Sequence, residues 1–310
     1  MTIQKIQQPN LKTQKMIMAD DVQLSVYEWG ESSPEFETII LIHGYPDDAS
    51  VWDKMAAKLS HNFHVVSYDV RGTGNFTAPI SSKGYEFQYL LSDLNYVISK
   101  VSPKRKVHLL GHDWGALQGW EAVFDHDLQT KIQSYTALAP GLDHVGTWFR
   151  QHLLSLQPQQ QWKAIKQMIS SSYMGFFNLP ILPELSWNAF LNKHWTKLLS
   201  KIEDQQLQHS SSHQLRNGIN GLELYRKNLF SSLISQKHRI TQVPVHVLSM
   251  RHDPFVPQHF LLGIEDTVDA LYKNTEIEAG HWGILTKIEL FIEPISTFIF
   301  SIKYDDMLQD

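Results

Sequence analysis

The chain has no cysteine. Disulfides, thiolate metal sites and cysteine nucleophiles are excluded together, and the absence fits a cytoplasmic location. Long apolar runs are missing too. A bilayer span takes roughly 18–20 such residues. The nearest stretch, "IELFIEPISTFIFSI", carries glutamates and Pro294, which make it a packed helix. No transmembrane segment is expected. The opening "MTIQKIQQPNLKTQK" holds no continuous apolar core, so no signal peptide is expected. Basic charge is short as well: 27 Lys and Arg stand against 32 Asp and Glu, a net charge of −5. With no basic stripe to neutralise phosphates, a nucleic-acid partner is not expected.

What is present suits a soluble globular protein. With 310 residues, 42% hydrophobic and 19% charged, the chain can bury a large core, and its length fits either two ordinary domains or one large α/β unit with an insertion. Residues 14–29 alternate around Asp20-Asp21, as in an antiparallel hairpin. "TIILIHG" (38–44), "FHVVSYDVRG" (63–72), "KVHLLGH" (106–112), "SYTALAP" (134–140) and "VPVHVLSMRHD" (243–253) are short and nearly all apolar. Strands buried on both faces of a parallel sheet read this way. "NTEIEA" (274–279) is expected to be a last short strand.

Helical patterns such as "ASVWDKMAAKL" and "FQYLLSDLNYVISKV" lie between the strands, which predicts an α/β fold with a mostly parallel central sheet flanked by helices. From 141 to 238 the strand rhythm stops, and the chain is rich in Gln, Ser, Trp and Leu. We read this block as a helical cap inserted into a core formed by 1–140 and 239–310. No internal repeat is evident, and no low-complexity run beyond "QPQQQ".

The chemistry centres on "VHLLGHDWGALQGW" (107–120), a strand pattern running into a helix pattern. Gly111 and Gly115 flank Asp113, and a sharp strand-to-helix turn needs small residues on both sides of its apex. The apex side chain is then held out above the sheet, and the helix N-terminus favours an ionised carboxylate there. Taken alone, Asp113 could simply cap the helix. Three further elements argue for a nucleophile. "LIHGYP" (41–46) leaves a central strand, so the N–H of Tyr45, with that of Trp114, can form an oxyanion hole. Asp253 ends a strand, and His281 follows in "EAGHWG". A carboxylate at a strand end can hold a histidine's tautomer and leave its other nitrogen free as a base.

The chain order nucleophile, acid, histidine is that of an α/β-hydrolase arrangement. Asp143, several residues past the "TALAP" strand, is a second position for the acid. His43 reads as a structural histidine. "RGTG" (71–74) stops short of a dinucleotide fingerprint, and His61 and His64 lack metal-site company, so neither cofactor nor metal is expected.

On these motifs the chain resembles the epoxide hydrolase and haloalkane dehalogenase branch of the α/β-hydrolases, which use an aspartate nucleophile. The resemblance runs from about residue 14 to 300. "HGYP", "YDVRGTG", "GHDWGA" and "GHW" match the H-G-x-P, D-x-R-G-x-G, nucleophile-elbow and histidine-loop motifs of epoxide hydrolases. "YMGFFNLP" is similar to the cap motif of their first epoxide-binding tyrosine, at Tyr173, with Asn178 in place of Gln. "LELYRKN" is similar to the second, at Tyr225, with Glu223 and Leu224 replacing Asn-Trp. "RGTGNFTAP" departs at Phe76-Thr77, where Ser-Asp is common. "YPDDASVWD", "GLDHVGTW" and "LPILPEL" look closest to the hydrolase portion of bacterial proteins in which such a domain precedes a short-chain dehydrogenase domain.

The resemblance implies Asp113, Asp253 and His281 as a catalytic triad, Tyr173 and Tyr225 as acids, and a small lipophilic epoxide and water as partners. His43, Pro46, Trp148, Phe176, Phe177 and Trp282 are expected around the substrate pocket, with Trp162 and Trp187 as further apolar wall. Monomer and homodimer are both open. The rival readings are a haloalkane dehalogenase and a non-enzymatic ligand-binding module on the same fold. A serine esterase is excluded because no serine stands at the elbow.

Overall fold

In the computed structural model the described residues are 12–19, 22–75, 77–207, 211–234 and 238–309. The expected hairpin is there as two antiparallel strands, β1 (Thr13–Ala19) and β2 (Val22–Trp29). Its Asp20-Asp21 turn, like Phe76, lies outside the described residues. The apolar runs become β3 (Thr38–Ile42), β4 (His64–Tyr68), β5 (Val107–Gly111), β6 (Ile132–Ala137), β7 (Val245–Met250) and β8 (Tyr272–Ile277). They form one sheet in the order β1-β2-β4-β3-β5-β6-β7-β8. β2 pairs antiparallel with β4, and every pair from there to β8 is parallel.

Every residue of β3, β4 and β5 is buried, because helices cover both faces of the sheet. α1 (Asp53–Leu59), α2 (Phe87–Val101) and α3 (Trp114–Phe124) alternate with the strands. Between β6 and β7 the described residues form helices: α4 (Leu142–Leu153), α5 (Pro158–Ser170), α6 (Ser172–Asn178), α7 (Leu182–Ser186), α8 (Asn192–Ile202), α9 (Gln214–Asn220) and α10 (Leu222–Ile234). A short α11 (Gly283–Thr286) and a long α12 (Glu289–Gln309) close the chain.

Side chains of a strand alternate between faces. Ile39 and Leu41 of β3 therefore join the cluster with Met55 of α1 and Phe291 and Ile295 of α12. Ile40 and Ile42 join the opposite cluster with Leu94 of α2 and Trp120 of α3. The apolar C-terminal run is thus a packed helix, and no helix among the described residues is long and apolar enough to cross a membrane.

Polar contacts fix the loops at the carboxyl ends of the strands. After β4, the Arg71 guanidinium donates two bonds to Asp93 of α2, at 2.7 and 2.6 Å, with both side chains buried. α9 is tied to two of these loops. Asn217 accepts from the Gly74 N–H at 2.9 Å and donates to Asp48 at 3.1 Å. Gln214 donates to the Pro46 carbonyl at 3.1 Å, and Asn220 donates to that of Gly72 at 2.8 Å.

Candidate active site

The loops after β3, β5, β7 and β8 bring Tyr45, Asp113, Asp253 and His281 to the same edge of the sheet. Asp113 stands at the turn from β5 into α3 with φ 52° and ψ −124°, a conformation that non-glycine residues adopt at a cost of about 1–3 kcal/mol. The turn is forced by close packing. A Cβ on Gly115 would run into the carbonyl oxygen of Ile42, and one on Gly44 into the Asp113 carboxylate itself. Although Asp113 occupies the N-cap position, its side chain makes no capping bond. Its Oδ1 accepts from the Tyr45 N–H at 2.7 Å, and the Trp114 N–H also acts on the carboxylate.

His281 is held from several sides. Its Nδ1 is 2.6 Å from Oδ2 of Asp253, whose Oδ1 accepts from the N–H groups of Phe255 and Val256 at 2.7 and 3.0 Å. Its Nε2 faces Oδ2 of Asp113 at 3.7 Å. His112, which burial keeps neutral with a pKa near 3, donates from Nε2 to the His281 carbonyl at 2.8 Å.

Burial works against charge throughout the site. It pushes the Asp113 carboxyl up to about 6, with His281 and the Tyr45 and Trp114 N–H groups opposing the rise. It would depress His281, but the carboxylates of Asp253 and Asp113 outweigh it and hold the imidazole near 9. Burial also drives the phenols of Tyr173 and Tyr225 above the usual tyrosine range, with the charge of Asp113 adding to the rise.

Asp113 and Trp114 open onto a cavity of about 660 Å³, which Tyr173, Tyr225, Phe255 and Val256 also line. The rest of its wall is mostly apolar and comes from α4, α6, α10 and the end of α5. Tyr225 packs edge-on to Trp114, with ring centroids 4.8 Å apart. Among the described residues no group of three or more His, Asp or Glu side chains is placed to hold a metal ion.

The expected wall differs from the one found. Trp148 is buried against His152, His259 and Phe260, outside the cavity lining. Phe176 is partly exposed, and Phe177 packs against the rings of Tyr45 and Tyr225; neither is in the lining. Trp162 is exposed on α5, and Trp187 is fully buried, donating to the Tyr45 hydroxyl at 2.6 Å. His43 and Pro46 line a separate small void, and Nε2 of His43 accepts from the Val70 N–H at 2.9 Å. Trp282 is buried, its indole donating to Asp47 at 3.0 Å. Asp143, the second acid position, is instead bonded to Arg239 at 2.9 Å.

Glu203 was not foreseen. It follows α8, and its Oε1 accepts from the Trp282 N–H, next to His281, at 2.9 Å. Its charge raises the His281 pKa further. Only the packing of α8 over the histidine loop reveals it, since nothing in the sequence "KIEDQQ" marks it.

The chain is similar to known proteins in sequence and in fold. The Mycobacterium tuberculosis protein named "Probable oxidoreductase EphD" is 28% identical over 290 residues, which are 90% of this chain and 48% of that one. The chain thus spans about half the length of the mycobacterial relatives it matches. Epoxide hydrolase 3 of Xenopus tropicalis is 27% identical over 258 residues, 79% of this chain and 66% of the relative. In fold, the crystal structure of Epoxide Hydrolase A from Mycobacterium thermoresistibile superposes with a TM-score of 0.70 at 18% identity, covering 93% of this chain and 98% of that one. Residues 37–288 match the family model described as alpha/beta hydrolase fold. That match takes in the sheet from β3 onward and all four loops of the site, and the chain belongs to the alpha/beta hydrolase fold family.

Proposed function

We propose that the chain is an epoxide hydrolase, which turns a lipophilic epoxide and water into a vicinal diol through a covalent ester on Asp113, beneath a lid formed by residues 141–238. One observation carries this reading: a carboxylate and two phenols, those of Asp113, Tyr173 and Tyr225, share one apolar cavity. Relatives named as epoxide hydrolases support it at the level of the family.

Opening an epoxide means displacement at a saturated carbon. A desolvated carboxylate is a ready nucleophile for this, since no proton need be removed from it. Oδ2 of Asp113 attacks a ring carbon, the carbon–oxygen bond breaks, and a phenol of Tyr173 or Tyr225 gives its proton to the departing oxygen. Their raised pKa values keep both phenols protonated at rest. General acid assistance of this kind is typically worth about 10²–10⁴-fold.

Esterification removes the charge of Asp113, one of the charges that hold a proton on His281. The imidazolium then passes its proton to the phenolate left by the first step. Neutral His281, oriented by Asp253, takes a proton from water while the water oxygen adds to the ester carbonyl. The oxyanion forms on Oδ1, where the Tyr45 N–H already points; each such donor is typically worth about 10²–10³ in rate. Collapse expels the diol oxygen, His281 returns the proton to it, and Asp113 keeps one oxygen from water, whose remaining proton passes to His281 and restores the resting carboxylate and imidazolium.

The two phenols in the cavity favour this reading over dehalogenation, because they suit a departing epoxide oxygen, which needs a proton, better than a halide, which does not. The test is a single turnover of styrene oxide in oxygen-18 water. Unlabelled first diol and label in Asp113 are expected. Label in the first diol overturns the covalent path, and chloride release from a haloalkane without diol formation from the epoxide overturns the substrate class.

A further inference from the structure

The rim of the cavity is mostly apolar, with Arg150 beside it. Leu153, Leu154, Met168, Phe230 and Ile234 belong to its lining and are also exposed on the outer surface, Leu154 to 78% and Ile234 to 72%. They form an apolar mouth where α4, α5 and α10 meet. The apolar surface continues beyond it along α5, which buries a single residue, Ala164. Trp162, Ile165 and Ile169 recur there at three- and four-residue spacing, so they share one face, and all three are exposed. A solvated helix would place polar residues on such a face.

The charge around this face departs from that of the chain. From residue 144 to 183 there is no Asp or Glu, while Arg150, Lys163 and Lys166 are present in a protein of net charge −5. Lys166 lies over the Trp162 ring, 5.7 Å from its centroid. Tryptophan and aliphatic side chains flanked by lysine, on a helix lying along the surface, are the features of an interfacial lipid-binding element. A soluble partner protein would not call for the complete loss of acidic residues; an anionic lipid surface does.

We infer that the α5 face and the cavity mouth dock on an anionic lipid surface, so that a lipophilic substrate passes from the lipid into the cavity without crossing water. Docking follows from the surface alone; delivery of an epoxide rests on the function proposed above. The helix lies in the interface and does not span it, in keeping with the absence of a spanning helix among the described residues.

Flotation of the whole chain with vesicles, in the absence of any epoxide, tests docking separately from catalysis. Vesicles of phosphatidylcholine with phosphatidylglycerol are expected to carry the protein up, phosphatidylcholine alone much less, and added salt to release it. Lys163→Gln with Lys166→Gln should weaken partition by about thirtyfold, at about fivefold for each basic residue near the surface. Ile165→Ser with Ile169→Ser should weaken it independently of salt. Both pairs are exposed, so circular dichroism and hydrolysis of a water-soluble epoxide should match the parent. Failure to float with anionic vesicles overturns the inference, as does equal flotation of the parent and both variants. A dimer in sedimentation velocity that the isoleucine variant dissociates, with no flotation, assigns the face to a second copy and overturns it as well.

Discussion

Nε2 of His281 stands 3.7 Å from Oδ2 of Asp113, while Nδ1 of the same ring is 2.6 Å from Asp253. One carboxylate is gripped and the other only faced. Asp253 fixes the ring, and Asp113 stays free to make a bond elsewhere. His281→Gln should therefore leave ring opening intact and stop ester hydrolysis. Intact-protein mass spectrometry should show the protein heavier by one epoxide molecule, while Asp113→Asn shows no such adduct.

The same distance has a pH consequence. In the proposed mechanism Asp113 attacks only as the anion, so the rate of ester formation should fall as pH drops through about 6. His281 helps to hold that carboxyl down. In His281→Gln the neutral side chain removes the help, and the acid limb should move to higher pH. Rapid-quench measurement of ester formation gives the limb directly; a shift to lower pH would contradict the coupling.

Tyr173→Phe and Tyr225→Phe should each slow ester formation, and the double variant should lose most of the factor of about 10²–10⁴ expected of general acids. The decay of ester already formed should be nearly unchanged.

Glu203 offers a test of charge against structure. Glu203→Gln keeps an oxygen for the Trp282 N–H but removes the charge that raises His281. The pH at which ester hydrolysis switches on should fall in both Glu203→Gln and Glu203→Ala. If Gln restores the parent profile and Ala alone shifts it, the residue only braces the loop.

The buried Arg71–Asp93 pair sets a stability prediction. Asp93→Ala leaves a guanidinium without its counter-charge in a site that excludes water, which should cost about 3–5 kcal/mol in urea unfolding.

The sheet was legible because "TIILI" and "VHLLG" are too apolar to be anything but doubly covered strands, and their flanking loops carry the motifs. Asp113, Asp253 and His281 were findable for the same reason: each sits at a strand end, where local sequence sets position. The cavity wall was not. In α4 the periodicity marks an apolar face but not its partner, so Trp148 stood out by size although Val145, Phe149 and Leu153 line the cavity. Glu203 and Asp47 were hidden because their meaning lies in Trp282, far away in sequence and joined to them only by packing.

α9 belongs mechanically to the sheet loops, although the chain reaches it only after the five helices α4 to α8. Its side chains hold the loops that carry Pro46 and Gly74, and its Gly218 carbonyl accepts from the Tyr45 hydroxyl at 3.0 Å. A chimera with a relative that exchanged only 142–202 would keep this clamp, but it would replace Tyr173 and also Trp187, which bonds the Tyr45 hydroxyl. Exchanging through 234 would replace the clamp as well, and should loosen the loops that carry Pro46 and Gly74.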